Sequence, residues 1–552
     1  MSTISDKLDV LVIGAGVQGC SVLRELSRYQ FDVALVEKHH DVCCGVTKAS
    51  DGMQLEIGHE VGIRPDYQGM EMKTPIQDRC LQIAMFRRKA LFQWLGVRYN
   101  HCGKLLVAFN DRQLTQLKKC YRKVQWMGIP EVEFTTDQNR LLALEPNISS
   151  EIIAGLLVPT GAVYPWELVV AFYENARQNN ARAYFNAEVV DIQWQKDKKT
   201  FLVQTQRGAL EARFIVNAAQ FGASHLARMI GDDHFKSKGT TEEFIILEDN
   251  TNGGVIRHTI REYGEDGLGK CLIIPTLDGE IFLGRGYRPV LKPEELEGSY
   301  TSNKGLDFVQ SETQRIVPSL EFSDCIKTFS GNVPGVMVRD GSGGWVPYAD
   351  YIIENSQANP RFVNCVGCAY GLSASPGIGP YVIELLGRGG LDIGEARIKE
   401  AYNPIRPPLV RRFAEAAAEA QQRLIEQDGR YGNVVCRCKN VTEGEIVEAI
   451  RRGATSYQGI KYRTHTGMGK CQGQYDKPKV IEILARELDL SPDCVTLKGG
   501  GSFEIEPLSD RDRKTEMTDD SPMPVLPRFD STELQKGYEE LCREMAQGEI
   551  SE

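Results

Sequence analysis

The thirty residues Asp9–Lys38, DVLVIGAGVQGCSVLRELSRYQFDVALVEK, decide the fold of this chain. Val10–Ile13 is a continuous apolar run of the kind that forms a buried parallel strand, and apolar residues recur at helical spacing from about Val17. The segment VALVEK then supplies a second strand. The stretch therefore predicts strand, turn, helix and strand, which is the opening unit of a parallel α/β sheet.

The turn of this unit carries the pattern G-x-G-x-x-G at Gly14, Gly16 and Gly19. The first glycine permits a tight turn, the second lets the backbone approach a pyrophosphate, and the third lets helix and strand pack closely. Unpaired N–H groups at the helix N-terminus would face the phosphates. Glu37 lies 23 residues after Gly14, where its carboxylate can accept a hydrogen bond from a ribose hydroxyl. NAD and FAD share this fingerprint, and its place near the start of the chain favours FAD.

The composition of the 552 residues is that of an ordinary globular protein, with 41% hydrophobic and 25% charged residues. A formal net charge of -10 argues against nucleic acid or an anionic membrane surface as a partner. The apolar run near the N-terminus is about five residues long, too short for a signal peptide or a transmembrane segment, so we expect a cytoplasmic protein. Fifteen scattered cysteines indicate reduced thiols rather than a disulfide framework.

A second stretch that could complete a flavin site is RFVNCVGCAYGLSASPGIGPYVIELLG, residues 361–387. It predicts a buried strand at Phe362–Val366, a loop of small residues, and a helix that begins near Pro376 and Gly377. The N-terminus of such a helix could face the pyrimidine end of a reduced flavin. Between the two ends, Phe214–Val216 predicts another buried strand, and the NAA that follows it is a place where the backbone can pass close to the adenosine half.

These motifs, VIGAGVQG, ALVEK, VNAA and AYGLSASPGIG, resemble those of the D-amino-acid-oxidase-like family of FAD-dependent oxidoreductases. VCCGVTKAS, GKLLVAF, LEPNIS, PTGAVYPWEL and LIIPTLDGEIFLG are similar to segments of the large subunits of anaerobic glycerol-3-phosphate dehydrogenases. The resemblance covers roughly residues 8 to 507. It implies an α/β fold with a Rossmann-like FAD-binding domain, a substrate domain built on an antiparallel sheet, and a small α-rich C-terminal domain. The residues that it implies for FAD binding are Gly14, Gly16, Gly19, Glu37, Lys48, Ala49, Ser50, Ala218, Gly371, Leu372, Ser373 and Gly377.

The chain departs from this family beside the flavin. Relatives carry an Asn-Ser pair and then a histidine, whereas here Ser50 and Asp51 replace the pair and Leu55 stands where the histidine would be. His59 lies four residues further on, in a different register, and is as compatible with a surface or packing role as with catalysis. Gln220 replaces a glycine that is usual in relatives. The flavin fold is therefore expected to be kept while the substrate chemistry is altered.

Three arginines and two tyrosines are candidates for substrate binding. Arg285 and Arg288 follow a predicted strand, and Arg339 lies in a glycine-rich loop, where a guanidinium can clamp a carboxylate or a phosphate. Tyr287 and Tyr370 could shape the pocket or donate a proton. The alternatives are solvated surface arginines and packed aromatic rings, and the sequence alone does not separate them. We take Arg339, Arg285 and Tyr370 as the candidate catalytic residues.

The C-terminal part of the chain contains three cysteines at a distinctive spacing, Cys436, Cys438 and Cys471. The region resembles bacterioferritin-associated-ferredoxin-like [2Fe-2S] domains, whose pattern is Cys-x-Cys and, about thirty residues later, Cys-x4-Cys. Asp476 stands at the fourth position. A carboxylate keeps the ligand charge, so a cluster with three thiolates and one oxygen donor is chemically possible. The alternatives are a domain kept only as structure, and zinc held by the cysteines with Asp476 or His465.

The expected domain limits follow from these motifs. The oxidoreductase spans 1–395, with FAD-binding parts at about 1–80, 150–225 and 330–395 and substrate-domain parts at about 81–149 and 226–329. A connector with a helix from Leu409 to about Gln427 covers 396–430, the [2Fe-2S] domain covers 431–507, and a tail with one candidate helix, Thr532 to about Ala546, covers 508–552. Within the cluster domain, Thr442 and Glu445 predict a capping box, and Lys479 to Leu488 predicts a second helix.

The resemblance implies an FAD-dependent dehydrogenase. It would oxidise a small anionic alcohol, such as glycerol 3-phosphate or a 2-hydroxy acid, by hydride transfer to flavin, and pass electrons to an iron-sulfur centre. The missing histidine leaves two alternatives, which are oxidation of an amino or imino acid and a non-catalytic flavoprotein that serves as a scaffold or electron-relay subunit. The expected partners are a small anionic substrate and an electron-acceptor protein or partner subunits.

Overall fold

The computed structural model describes residues 4–55, 76–126, 129–248, 254–264, 269–287, 300–367, 370–407 and 413–506. The predictions for His59, for Arg288 and for a helix at Thr532 to Ala546 fall outside the described residues. None of the helices in these ranges is both long enough and apolar enough to cross a membrane. Every cysteine in the same ranges carries a free thiol.

The strands are β1 (Ile4–Ile13), β2 (Val33–Val36), β3 (Met53–Leu55), β4 (Lys104–Ala108), β5 (Glu133–Thr135), β6 (Ala154–Val158), β7 (Thr160–Ala162), β8 (Arg182–Tyr184), β9 (Val189–Gln195), β10 (Thr200–Thr205), β11 (Gly208–Asn217), β12 (Phe235–Leu247), β13 (Thr259–Tyr263), β14 (Gly269–Pro275), β15 (Ile281–Tyr287), β16 (Cys325–Arg339), β17 (Trp345–Tyr348), β18 (Ile352–Asn355), β19 (Phe362–Val366), β20 (Val434–Cys436) and β21 (Val441–Thr442). The helices are α1 (Val17–Leu26), α2 (Ile76–Leu95), α3 (Asp111–Trp126), α4 (Gln138–Leu144), α5 (Pro165–Gln178), α6 (Ala223–Met229), α7 (Asn303–Ile316), α8 (Gly371–Arg388), α9 (Ala418–Gln427), α10 (Glu443–Arg451), α11 (Tyr457–Thr464) and α12 (Lys477–Leu488).

The nucleotide domain is built on a sheet in the order β18-β19-β11-β1-β2-β8, with β10 and β9 extending from β11. Strand β1 lies parallel to both β11 and β2, as the opening stretch predicts. Helices α1, α2, α5 and α8 cover one face of this sheet, and their apolar side chains form a single core with those of the strands. The continuous apolar runs of β1 and β11 arise because both of their faces are buried.

The substrate domain is built on a nine-stranded sheet in the order β17-β16-β12-β15-β14-β13-β4-β6-β5. All of its neighbouring strands are antiparallel except β13 and β4, which are parallel. Helix α7 packs on this sheet through a separate core. The fold class predicted from the sequence is confirmed. The proposed limit near residue 80 falls inside α2, a helix whose apolar face belongs to the nucleotide core.

Helix α8 begins at Gly371, and the predicted start near Pro376 and Gly377 is wrong. Pro376 lies inside the helix and has no N–H to donate to the carbonyl of Leu372. The hydroxyl of Ser375 donates to that carbonyl instead, at 2.8 Å. Because the orphaned acceptor is satisfied locally, the proline is tolerated one turn into the helix.

The C-terminal domain packs α10, α11 and α12 around a small apolar core. The capping box is confirmed, since the side chain of Thr442 accepts from the N–H of Glu445 and the Glu445 carboxylate accepts from the N–H of Thr442. The connector helix begins at Ala418, not at Leu409 as predicted. Just before it, Phe413 stacks on Tyr431 and its N–H donates to Glu445, so contacts with the C-terminal domain override helix propensity there.

Candidate functional site

Two glycines of the opening turn are required by the protein itself. Gly14 has φ +105°, and a Cβ there would lie 2.6 Å from the carbonyl oxygen of Ala218. A Cβ on Gly19 would lie 1.9 Å from the carbonyl oxygen of Gly14. Any larger residue at either position would push β1, β11 and α1 apart. Ala218, predicted to pass near the adenosine, is thus the residue against which the turn closes.

Gly16 differs, because nothing in the protein forbids a side chain there. A Cβ would meet only the hydroxyl oxygen of Thr47, at 3.4 Å, an ordinary contact. Gly16 is the N-cap of α1 and no side chain caps it, although the next N–H, of Val17, donates to Thr47. The open space at this helix N-terminus is what an incoming pyrophosphate requires, so the residues present fit the phosphates of FAD.

The carboxylate of Glu37 is held at the end of β2 by two backbone donors. The N–H of Ala15 donates to one carboxylate oxygen at 2.7 Å, and the N–H of His39 donates to the other at 2.9 Å. The side chain stays partly exposed. It therefore remains accessible as an acceptor for a ribose hydroxyl.

The loop after the second strand connects the start of α1 to the start of α8. Lys48 and Ala49 lie in a short 3-10 turn, Val46–Ala49, and Ser50 follows it. Beyond them, Met53 accepts through its carbonyl from the hydroxyl of Ser373 in the first turn of α8, at 3.1 Å. The structure thus brings this loop together with the N–H groups of Gly371, Leu372 and Ser373.

Gly377 does not belong to that helix N-terminus. It lies in the second turn of α8, where a Cβ would be 2.0 Å from the carbonyl oxygen of Cys80 in α2. The glycine is needed for the close approach of two helices, and its predicted place beside the flavin is corrected accordingly.

Gln220 has a backbone conformation of the kind that favours glycine. Its φ is +47°, in the left-handed region that disfavours side chains. Its side-chain amide forms a hydrogen bond with that of Gln18 in α1 at 3.0 Å, and the Gln220 carbonyl accepts from Ser237. These contacts hold an otherwise unfavourable conformation.

A cavity of about 430 Å3 lies where the three domains meet. The loop Lys48–Asp51 borders it on the nucleotide side, Phe282 and Phe329 border it on the nine-stranded sheet, and Tyr462 and His465 border it on the C-terminal domain. No sequence pattern indicates this cavity, because its walls come from segments hundreds of residues apart. Its walls are mostly apolar, as is usual for small-molecule sites.

Arg285 lies beside this cavity but is already paired. Its guanidinium contacts Asp51 at 3.2 Å and Glu242 at 3.6 Å, and all three side chains are largely buried. Burial raises the pKa of Glu242, while Arg285 opposes that rise. Asp51 borders the cavity and also accepts from the N–H of Met53. Arg285 therefore positions carboxylates, which differs from the free anion clamp that the sequence suggested.

Tyr370 stands at the N-cap of α8 with φ +67° and packs against the apolar cluster that contains Met53 and Phe282. It is thus near the predicted flavin loop. The ring of Tyr287 and the side chain of Leu55 are outside the described part of the structure, although Leu55 itself lies in β3, paired with Thr160.

Arg339 is not at this site. It ends β16 nine residues after Ser330, which borders the cavity, and an extended strand covers about 30 Å over that length. Its half-exposed guanidinium stacks on Trp345 and faces Asp233 at 3.4 Å. The structure therefore contradicts the proposal of Arg339 as a substrate-binding residue, because strand length carries it to the surface.

The proposed cluster ligands come together in two pairs. Cys436 is buried beside Asp476, and burial together with this carboxylate raises the pKa of the thiol to about 12. Cys438 is exposed and lies beside Cys471. Desolvation and the Cys471 side chain raise the pKa of Cys438, while the Cys471 backbone opposes this rise. Asp476 is 1% exposed, and its Oδ1 accepts from the hydroxyl of Tyr457 at 3.0 Å. Its Oδ2 is buried without a hydrogen-bond partner in the described part of the chain.

Four donors are the number that a [2Fe-2S] cluster needs, because each of its irons takes two protein ligands. Within the described ranges no three His, Cys, Asp or Glu side chains form a ready group for one metal ion. His465 is not available as a zinc ligand, because its ring nitrogens face Glu167 at 2.9 Å and Asp278 at 3.1 Å.

Buried ion pairs fix the C-terminal domain to the nucleotide domain. Glu174 in α5 contacts Arg452 at 3.3 Å, Arg463 at 3.7 Å and the connector residue Arg406 at 2.9 Å. Burial alone would raise the pKa of Glu174, and the three arginines nevertheless lower it. Arg463 also pairs with Asp41, just after β2. The proposed cluster site is therefore held in a defined place relative to the nucleotide turn.

Comparison with known proteins assigns both parts of the chain. Residues 9–385 match the family described as FAD dependent oxidoreductase, and residues 434–486 match the BFD-like [2Fe-2S] binding domain. The glycerol 3-phosphate dehydrogenase of Caloramator mitchellensis is 32% identical over 504 residues, which cover 90% of this chain and 97% of that protein.

Two further relatives are more distant. One subunit of the anaerobic glycerol-3-phosphate dehydrogenase of Escherichia coli K12 is 22% identical over 521 residues, covering 87% of this chain and 89% of that protein. The solved structure of the dithionite-reduced L-alpha-glycerophosphate oxidase of Mycoplasma pneumoniae, with FAD bound, superposes with a TM-score of 0.60 at 23% identity, and the match covers 72% of this chain and 98% of that one. This likeness supports the fold of the oxidoreductase part.

Proposed function

Since the chain belongs to the FAD dependent oxidoreductase family and carries a BFD-like [2Fe-2S] binding domain, we propose that it is a dehydrogenase of glycerol 3-phosphate or a close analogue. The observation that carries this proposal is the 32% identity to a glycerol 3-phosphate dehydrogenase over nearly the whole of both chains. The cavity supports it, because one small-molecule site touches the predicted flavin loop and the cluster domain at once.

The residues of this chain would bind FAD as follows. The N-terminus of α1, left open at Gly16, would take the pyrophosphate, Glu37 would take a ribose hydroxyl, and the first N–H groups of α8, from Gly371, would be donors to the flavin. Bound FAD supplies the hydride acceptor, and the cluster supplies a one-electron carrier.

Asp51 is the proton acceptor that we propose in place of the missing histidine. It borders the cavity directly after Ser50, and Arg285 and the N–H of Met53 fix its carboxylate in place. A carboxylate within hydrogen-bond reach of the substrate hydroxyl can accept its proton as the hydride leaves the carbon. Asp51→Asn keeps the shape and removes this basicity, so it should lower kcat by at least about 100-fold.

We assign the cluster to Cys436, Cys438, Cys471 and Asp476. The buried Oδ2 of Asp476 supports this set, since a buried carboxylate oxygen without a partner is unfavourable unless a ligand completes it. The electrons would leave to an acceptor protein near the exposed Cys438. That the E. coli relative is named as one subunit of its enzyme is in line with such a partner. We also propose a cytoplasmic location, because fifteen scattered cysteines suit a reducing compartment.

Anaerobic mixing of the purified protein with glycerol 3-phosphate tests this function. The flavin absorbance should bleach within the time of one turnover. Bleaching by glycine or proline instead would favour the amino-acid alternative, and no bleaching by any of these compounds would point to a non-catalytic flavoprotein.

A further inference from the structure

The central cavity is lined by more lysines than acids, although the net charge of the chain is -10. Five lysines border it, and they are Lys48, Lys327, Lys439, Lys461 and Lys498. Three acids border it as well. Two of them, Asp278 and Glu280, are paired with Lys439, and Asp278 also contacts Arg98 at 2.9 Å. The third, Asp51, is paired with Arg285.

Four lysines are therefore left without an acid opposite them. Among the described residues, no hydrogen bond or ion pair is formed by the ammonium groups of Lys48, Lys327, Lys461 or Lys498. Two of these, Lys327 of β16 and Lys461 of α11, come from different domains and border the same cavity. Burial, with Lys327 adding to it, lowers the pKa of Lys461 to about 8. Asp476 and Cys471 partly oppose this shift.

Like charges held together across a domain boundary are unfavourable unless an anion joins them. A phosphate-type dianion offers three oxygens and two charges, which suits two or more ammonium groups that converge from opposite walls. A carboxylate would leave one lysine uncompensated.

We propose that Lys327 and Lys461 form an anion site for a phosphate-type dianion between the sheet and the C-terminal domain. The identification of this dianion with the phosphate of the substrate rests on the proposed function, whereas the site itself does not. The [2Fe-2S] domain would then contribute a wall and a charge to substrate binding as well as an electron carrier. Substrate binding and the docking of this domain would be linked, because the anion contacts both sides.

The test uses the FAD-loaded full-length protein and inorganic phosphate as the probe. Phosphate should raise the thermal unfolding midpoint more than chloride does at equal ionic strength. The double variant Lys327→Gln with Lys461→Gln should lose this shift and bind phosphate at least about tenfold more weakly, whereas Lys461→Arg should retain most of it. Without phosphate, the double variant should unfold no earlier than the wild type, because the repulsion has been removed.

Lys479→Gln is the matched control, since Lys479 is an exposed lysine of α12 that does not border the cavity. It should behave as the wild type. A double variant that binds phosphate as tightly as the wild type overturns the proposal, and so does a wild type that shows no phosphate effect.

Competition separates the two sources of the anion. If phosphate competes with glycerol 3-phosphate in flavin reduction, the site takes the phosphate of the substrate. If phosphate binds through the two lysines without competing, the site serves free phosphate. A third outcome is that phosphate binds through the two lysines but glycerol 3-phosphate does not bleach the flavin. That result would refute the proposed function and support this site.

Discussion

The nucleotide turn and the cluster loop use their glycines in different ways. At the turn, Gly14 and Gly19 are fixed by backbone contacts of the protein, while Gly16 is left open for a ligand. At the cluster loop, a Cβ on Gly467 or Gly473 would collide with the hydroxyl of Tyr457, at 2.0 and 2.2 Å. The same hydroxyl donates to Asp476. The nucleotide turn thus keeps one glycine position open for a ligand, whereas the glycines of the cluster loop make room for the side chain that holds Asp476.

The substitution with the largest expected effect disrupts the nucleotide site alone. Gly16→Val should fill the space above the N-terminus of α1 and reduce bound FAD at least about tenfold, with the fold retained, because its Cβ meets only Thr47. Flavin absorbance of the purified variant, with iron analysis beside it, measures this. Gly429→Ala, a change into open space, should keep full FAD, and normal FAD in Gly16→Val would refute the assigned pyrophosphate site.

The second prediction breaks the cluster site alone. Asp476→Ala should remove most of the iron and sulfide, whereas Asp476→Cys should keep the cluster and make it more stable, because thiolate is a softer ligand. Asp476 forms no side-chain cap hydrogen bond with α12, so the helix start should survive either change. Glu482→Ala, an exposed change on the same helix, is the control. Unchanged iron content in Asp476→Ala would remove this residue from the ligand set.

The third prediction concerns the link between the two regions. Glu174→Gln leaves Arg406, Arg452 and Arg463 buried without their shared carboxylate, and breaking such a buried network costs about 3–5 kcal/mol of stability. Denaturant unfolding should show this loss. Glu384→Gln breaks a surface pair with Arg79 and should cost at most about 1 kcal/mol. Equal stability of the two variants would mean that the network does not hold the domains together.

The smallest expected effect is a pH dependence of stability that arises at His234. Hydrogen bonds with Asp232 and Glu354 raise the pKa of His234 to about 9 in the nucleotide domain. The protonated ring therefore stabilises the fold fully below its ordinary pKa of about 6.5, and this stabilisation is lost as the pH rises through 9. His234→Gln should cost about 1 kcal/mol at about pH 6 and nothing above about pH 10, and the exposed His225→Gln should show no such dependence. Equal losses at both pH values would exclude this role for His234.

The sequence predicted what depends on neighbours along the chain. The strand and helix of the opening unit, the strand at Phe362–Val366 and the capping box are local, so spacing and residue type sufficed. Helix α11 was missed. The start of helix α8 was predicted too far along the chain, because proline usually marks the beginning of a helix. Here the hydroxyl of Ser375 takes over the hydrogen bond that Pro376 cannot donate.

The sequence does not predict the buried ion pairs around Glu174, because they join residues that are far apart along the chain. Glu174 and Arg452 are 278 residues apart in sequence, and nothing local indicates that they meet. Local sequence predicts anion binding for the candidate arginines from the loops in which they lie. In the fold, Arg339 lies at the far end of a long strand, and Arg285 is paired with two carboxylates. The sequence does not predict a site at Lys327 and Lys461, because the two lysines border one cavity only after the domains have packed together.

The central claim is that one chain couples a two-electron flavin to a one-electron cluster. An anaerobic titration with glycerol 3-phosphate, followed by flavin absorbance and by electron paramagnetic resonance, tests it most directly. We predict that complete reduction takes about one and a half substrate molecules per chain, because the flavin takes two electrons and the cluster takes one, and that the signal of the reduced cluster develops together with flavin bleaching. A titration that ends at one substrate per chain, with a bleached flavin and no cluster signal, would contradict the account.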